Sequence, residues 1–354
     1  KPPISNAPLV RTWVADVQTV QMSSVTHGSV LPRTESELIP EVSGRVVDIS
    51  PVMVSGGFFK KDDLLLKVDP LDYEVALEQA RASLASARSE LTNARKAHDR
   101  LLDLAKRQSA SQSQQDDALN RLRFAQASIR EATARLSRAA RDITRTNITA
   151  PYDGRVRSER VDIGQFVTRG APIASLYATD VAEVRLPIHD EELAYLELAL
   201  AGPTDKNLPA VILRARFAGE DHTWNGRIVR TEGELDPKTR MINIVAQVQS
   251  PYQQSDSRPP LAVGLFVEAE IIGKQVDNVF VLPRSALQAN EQVYVVTDEN
   301  RLQFRDVEVI RIVDEDVYVI DGFKRGETIS LSTVNNAIEG MLVRPVDKAG
   351  FVAL

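Results

Sequence analysis

Residues 148–170 read "ITAPYDGRVRSERVDIGQFVTRG", and residues 39–62 read "IPEVSGRVVDISPVMVSGGFFKKD". Each stretch has a Pro a few residues before Gly-Arg-Val, then an alternating run, then a Gly and an aromatic residue. Alternation bounded by turn residues is the pattern of short strands. Gly44 aligns with Gly154 and Gly56 with Gly164, after which Phe59 aligns with Val167, Asp62 with Gly170 and Leu65 with Ile173. Asp62 thus stands where the other copy has a turn glycine, a position Asp tolerates because it visits left-handed backbone more readily than most residues. Two half-motifs of this kind predict one flattened β-sandwich with pseudo-two-fold symmetry.

What separates the copies is of another kind. Residues 71–150 contain no Gly and no Pro, while all 17 glycines and 18 prolines lie elsewhere. Such a window predicts long helices. Leu77, Leu84 and Leu91 are seven apart, continuing to His98 and Ala105, with Ala80, Ala87, Ala94 and Leu101 three residues later in each repeat. Leu122, Ile129, Leu136 and Ile143 form a second heptad row, accompanied by Ala125, Ala132 and Ala139. Sustained a/d heptads predict a coiled coil. The polar break "RQSASQSQQDD", residues 107–117, spaces Ser111 and Gln114 as a capping box. Two arms of roughly 37 and 35 residues, each about 50–55 Å long, then predict an antiparallel hairpin inserted between the sandwich halves. As a flexible loop the insertion would cost only about 2.7 kcal/mol more than a four-residue one, and a stiff hairpin less.

The remainder reads as strands: residues 10–38, runs such as "AVILRARF" and "INIVAQV" within 181–272, and "VFVLP", "QVYVV" and "DVYVI" within 278–346. One short helix is expected at "HDEELAYLELAL", with Asp190, Glu191 and Glu192 at its N-terminus. The chain of 354 residues, 43% hydrophobic and 26% charged, is long enough for several globular modules. Its net charge of −6 gives no reason to expect nucleic acid, and it has no Cys. No run of about 18 apolar residues spans a bilayer.

At this point the chain resembles the periplasmic adaptors, or membrane fusion proteins (HlyD-like), of tripartite resistance-nodulation-division (RND) multidrug efflux pumps. Split lipoyl-like halves around a helical hairpin carry the resemblance. "GELDPKTRM" (233–241), "LAVGLFVEAEI" (261–271), "VFVLPRSAL" (279–287) and "VIDGFKRGETI" (319–329) resemble the family's later motifs in order, with Leu265 in a Met place and Phe323 in a Leu place. The resemblance implies an α+β, mainly β fold of four modules. A lipoyl-like sandwich would take residues 39–70 and 148–177, the hairpin 71–147, a β-barrel 24–38 and 178–275, and a membrane-proximal β domain 1–23 and 276–354. Few contacts would cross the joints near residues 177–180 and 275–279, so the modules would tilt.

The family's hairpin tip carries an Arg, a Leu four residues on and a Ser seven beyond that, here Arg100, Leu104 and Ser111. The resemblance implies that these dock onto a TolC-like outer-membrane channel. It further implies an inner-membrane RND transporter as partner, self-association as trimer or hexamer, a periplasmic place at the inner membrane, no cofactor and no catalysis. Plainer readings exist: Ser111 as a helix cap, Arg100 as a solvated arginine, Leu104 as seam packing. A true lipoyl carrier is the competing enzyme-complex reading, but Lys60 and Lys61 fall inside the first half and not at its junction with the second. The same architecture would also suit an adaptor for an ABC-type exporter, or a structural coiled-coil protein with no transport role. The histidines His27, His98, His189 and His222 are scattered, and "HDEE" at 189–192 reads better as a helix start than as a metal site.

Overall fold

The computed structural model describes residues 7–107, 109–196, 198, 208–253, 259–288, 291–322 and 324–347. The chain begins with β1 (Leu9–Val14) and the long β2 (Val17–Pro32). Then come β3 (Glu35–Leu38), β4 (Gly44–Ile49), β5 (Phe58–Phe59) and β6 (Leu64–Val68), followed by α1 (Leu71–Lys106) and α2 (Gln112–Thr144). After the helices lie β7 (Asn147–Thr149), β8 (Gly154–Glu159), β9 (Phe166–Val167), β10 (Ala174–Ala178) and β11 (Val181–His189). β12 (Ala210–Phe217), β13 (Glu220–Leu235), β14 (Met241–Gln249) and the 18-residue β15 (Phe266–Pro283) follow. The chain then forms β16 (Leu287–Gln288), β17 (Gln292–Val296), β18 (Leu302–Asp306), β19 (Glu308–Val313), β20 (Asp316–Asp321), β21 (Thr328–Ser330) and β22 (Arg344–Asp347).

The repeat becomes two facing four-stranded sheets, β3-β10-β8-β5 and β7-β6-β4-β9. The halves exchange strands: β5 of the first pairs with β8 of the second, and β9 of the second with β4 of the first. The exchange is symmetric in register, Phe58 facing Arg155 and Phe166 facing Arg45. Gly154 is required where the strands meet, since a Cβ there would lie 2.3 Å from the Tyr177 carbonyl oxygen. Asp62 has φ of 68° and Gly170 has φ of 88°, so the aligned turn positions share left-handed backbone. Leu65, Leu66, Val68, Val156 and Leu176 fill the space between the sheets.

The helical insertion packs along its alanines. Ala80, Leu84, Ala87 and Ala94 of α1 and Ala118, Ala125 and Ala132 of α2 are buried, whereas Leu77, Leu91, Leu122, Ile129 and Leu136 are half-buried. Small side chains let the helix axes approach to the short end of the usual 8–10 Å range. A two-helix seam has no third element to cover its leucines. The interface is therefore narrow.

Six strands, in the order β12-β13-β14-β11-β2-β15, close into a barrel because β15 also pairs with β12. Leu186, Leu213, Trp224, Ile244 and Ile271 fill it. A last module combines the sheet β16-β17-β21-β1-β22 with the β19–β20 hairpin, around Leu282, Val293, Val317 and Ile329.

Four expectations need correction. Residues 24–38 do not all belong to the barrel, because Glu35–Leu38 pairs with β10 inside the sandwich. Strands β2 and β15 do not stop at residues 23 and 275. They run on as one antiparallel ribbon, from Ser29 opposite Phe266 to Val17 opposite Phe280, and β20 adds to its far end. Many contacts therefore cross from the barrel to the last module. The expected helix at 189–200 is a 3-10 turn, Asp190–Tyr195, and residues 197, 199 and 200 lie outside the described residues. Its carboxylates reach arginines, Asp190 to Arg240 and Glu192 to Arg311. Those ion pairs hold the turn in place of an extended helix dipole.

Candidate functional site: the hairpin tip and the joints behind it

The tip is built by backbone capping. The Leu104 carbonyl accepts from the amides of Arg107 at 3.1 Å and Ser109 at 2.9 Å, which closes α1. Ser111 opens α2: its Oγ accepts from the Gln114 amide at 3.3 Å, and its own amide donates to Gln114 Oε1 at 3.0 Å. This is the capping box read from the sequence, and it satisfies two otherwise orphaned amides.

Arg100 and Leu104 are i,i+4 neighbours near the end of α1 and lie on one face. Arg100, Leu104 and Ser111 are all exposed. Among the described residues no ion pair holds Arg100, whereas Lys106 pairs with Asp103 at 2.9 Å. No hydrogen bond joins Arg100 to Ser111 within the described chain. The structure thus sets an apolar side chain, an unpaired guanidinium and a capping hydroxyl at one end of the hairpin, and does not tie them together. The hydroxyl hydrogen of Ser111 is still free to donate, since the cap uses only its acceptor side.

Lys60 and Lys61 lie in the turn between β5 and β6. Their amides donate to Asp63 and Asp153, both at 2.7 Å. The place where a carrier would present its lysine, between the halves, is taken by α1 and α2. Among the described residues no helix is long and apolar enough to cross a membrane.

The motif at 233–241 is a tight turn between β13 and β14. Asp236 Oδ1 accepts from the amides of Lys238 at 2.8 Å and Thr239 at 3.1 Å, and these backbone bonds hold its carboxyl below the usual range. Arg240 closes the turn with φ of 54° and reaches Asp190.

Behind the tip, two joints connect the modules. Sandwich and barrel are linked by residues 33–34 and 179–180. The Ala178 amide donates to the Thr34 carbonyl at 2.9 Å, the Arg33 amide to Val181 at 3.2 Å, and Arg33 pairs with Asp180. Between barrel and last module, Arg311 of β19 donates to both Glu192 oxygens at 3.0 and 2.9 Å and to the Ser23 carbonyl at 2.5 Å. Its guanidinium lies 5.1 Å from the Tyr195 ring centroid. Sequence reading missed this cluster, because Arg311 lies 119 residues from Glu192 and 288 from Ser23.

Comparison with known proteins agrees with this architecture. Residues 34–179 match the family model described as "RND MFP, barrel-sandwich hybrid domain". The chain is 26% identical over 351 residues to "Multidrug resistance protein MdtA" of Proteus mirabilis, covering 98% of this chain and 82% of that one. It is 27% identical over 302 residues to "Efflux pump periplasmic linker BepD" of Brucella suis, covering 83% and 75%. The fold is similar to the crystal structure of MacA from Actinobacillus actinomycetemcomitans, with a TM-score of 0.63 at 20% identity, covering 91% of this chain and 99% of that one. Residues 34–179 thus carry the barrel-sandwich hybrid domain of RND membrane fusion proteins, and the chain as a whole shares the fold of MacA.

Proposed function

We propose that this chain is the periplasmic adaptor of a tripartite efflux pump, joining an inner-membrane RND transporter to a TolC-like outer-membrane channel for the export of drugs or other small molecules. The observation that carries the reading is the match of residues 34–179, hairpin included, to the RND-type domain. The adaptor performs no chemistry; the transporter supplies the energy. Its hairpin tip meets the channel, where Arg100 and Ser111 offer hydrogen-bond donors and Leu104 an apolar contact. Its last module faces the inner membrane. One charge-assisted hydrogen bond contributes about 1.5–3 kcal/mol, and several copies, as trimer or hexamer, multiply it by engaging one channel together.

The test is affinity capture of the tagged full-length protein from cross-linked Gram-negative cells, read by mass spectrometry. Recovery of an RND transporter together with an outer-membrane channel is the expected result. Recovery of an ABC transporter in its place, or of neither membrane partner, overturns the reading.

A further inference from the structure

Four residues form a ladder across one sheet of the sandwich. Phe58 on β5 faces Arg155 on β8, Arg155 faces Tyr177 on β10, and Tyr177 faces Glu35 on β3. Direct cross-strand partners point their side chains to the same side of a sheet, so these four line one face. Onto that face comes Tyr252, which belongs to the barrel and follows β14. Its ring meets Phe58 edge-on, with centroids 6.1 Å apart and planes at 82°. The Arg155 guanidinium lies 4.3 Å from the Phe58 centroid and 5.9 Å from that of Tyr252, held in place by two bonds to the Gly56 carbonyl at 3.0 and 2.8 Å. Tyr252 also lies beside Tyr177, and burial first, the neighbouring Tyr252 hydroxyl second, pushes the Tyr177 hydroxyl up to about 12. At the other end of the ladder Arg157 lies 5.1 Å from the Tyr177 centroid and bonds Glu35 at 2.6 Å.

The rest of this joint is slender, two links of two residues each. Both attach beside β3 and β10, so they define a local hinge line. Phe58 stands two strands beyond β10, roughly 10 Å away at the usual strand spacing. A contact at that distance from a hinge line resists rotation about it, as the links alone do not. We infer that Tyr252 is a releasable latch: seated on the Phe58–Arg155–Tyr177 ladder it fixes the tilt of sandwich and hairpin on the barrel, and unseated it frees that tilt. The contacts suit release, because each is a single edge-to-face or cation–π contact, and Phe58 is exposed while Arg155 and Tyr252 are half-buried. The lever is long. The 36 residues of α1 extend about 54 Å, so a tilt of about 10° carries the tip through roughly 9 Å.

The purified chain tests this without any transport assay. It contains no Cys, so Thr168→Cys in the sandwich and Asn225→Cys in the barrel carry two spin labels on an otherwise unlabelled protein. Pulsed-dipolar distance distributions are compared for the parent, Tyr252→Phe and Tyr252→Ala. The parent gives one narrow distribution, and Tyr252→Phe, which keeps the ring contacts, stays close to it. In Tyr252→Ala the open-to-closed ratio rises roughly tenfold, the loss expected when one edge-to-face and one partly exposed cation–π contact disappear together. A control pair within the barrel, Val25→Cys and Asn225→Cys, keeps its distribution in all three. An unchanged Thr168–Asn225 distribution in Tyr252→Ala overturns the latch. Equal broadening of the control pair overturns it as well, since Tyr252 would then be supporting the barrel and not the joint.

Discussion

Two links of two residues each, 33–34 and 179–180, carry the sandwich on the barrel, whereas two strands of 16 and 18 residues run unbroken from the barrel into the last module. At the first joint the backbone contributes little, and side chains such as Arg33, Asp180 and Tyr252 hold the geometry. At the second the ladder between β2 and β15 continues across two register shifts, and Arg311 with Glu192 and Tyr195 adds a side-chain brace. A joint made of side chains opens by local rearrangement. One made of a continuous ladder opens only by breaking backbone hydrogen bonds in series. Barrel and last module should therefore behave as one body, with sandwich and hairpin as another.

The largest test of this contrast is the core at the second joint. Leu282 is 1% exposed where β15 enters the last module. Leu282→Ala should cost about 2–5 kcal/mol and destabilise barrel and last module together. The chain's two tryptophans separate the reporters, Trp224 in the barrel and Trp13 in the last module. Single-tryptophan variants, Trp13→Phe and Trp224→Phe, followed by fluorescence in denaturant, should show coincident midpoints that shift down by the same amount. Separate midpoints in the parent would show that barrel and last module unfold as two independent bodies.

A smaller perturbation should pull the two reporters apart. Arg311 and Glu192 side chains are 17% and 27% exposed, and Arg311→Met removes the brace while keeping its apolar stem. The expected loss is about 1–3 kcal/mol, with a gap opening between the Trp13 and Trp224 midpoints. Ser111→Arg, at the far end of the hairpin, should cost about 1 kcal/mol or less through the lost cap. It should leave both tryptophan midpoints in place and, on the proposed function, abolish export in a drug-susceptibility assay of the deletion strain, because its added bulk and charge would oppose docking.

The smallest effect expected is an acid response in the barrel wall beside the first joint. Glu183 of β11 bonds Arg230 at 2.8 and 2.7 Å and Gln247 at 2.8 Å. The Arg230 hydrogen bonds hold its carboxyl below the ordinary value of 4.5 against the opposing effect of burial. A lowered folded-state value means that the stabilisation is present above pH 4.5 and is lost as pH falls through the lower value. Glu183→Gln should flatten this part of the acid dependence in denaturation measured between pH 7 and pH 3. An unchanged slope would show that the pair contributes nothing.

The sequence made the repeat and the hairpin legible because both are local and periodic. The heptad positions are the ones that become buried or half-buried, and Ser111 and Gln114 form their capping box three residues apart. The long ribbon was illegible for a physical reason: turn-like residues sit inside it. Gly273 looks like a strand end, but it marks a close approach, since a Cβ there would lie 2.3 Å from the Tyr195 carbonyl oxygen. Asn278, with φ of 58°, lies at one of two irregularities where the β15–β2 register shifts. Gly and Asn within a strand signal a bulge as readily as a stop. The joint clusters were hidden because Phe58, Arg155 and Tyr252 meet across about 100 residues of chain at each step, where no local pattern links them. At the tip the cap was readable. The exposure of Arg100 and Leu104 depends on where the seam ends, which only the assembled hairpin displays.

On the proposed function, the two ends of this molecule meet the proteins of different membranes. Site-specific photo-cross-linking in living Gram-negative cells tests it most directly, with a photoreactive residue at Gln112 beside the tip in one strain and at Ile338 of the last module, 67% exposed, in another. Gln112 should capture an outer-membrane channel and Ile338 an inner-membrane transporter. Capture of the same protein from both positions, or the reverse assignment, would contradict it.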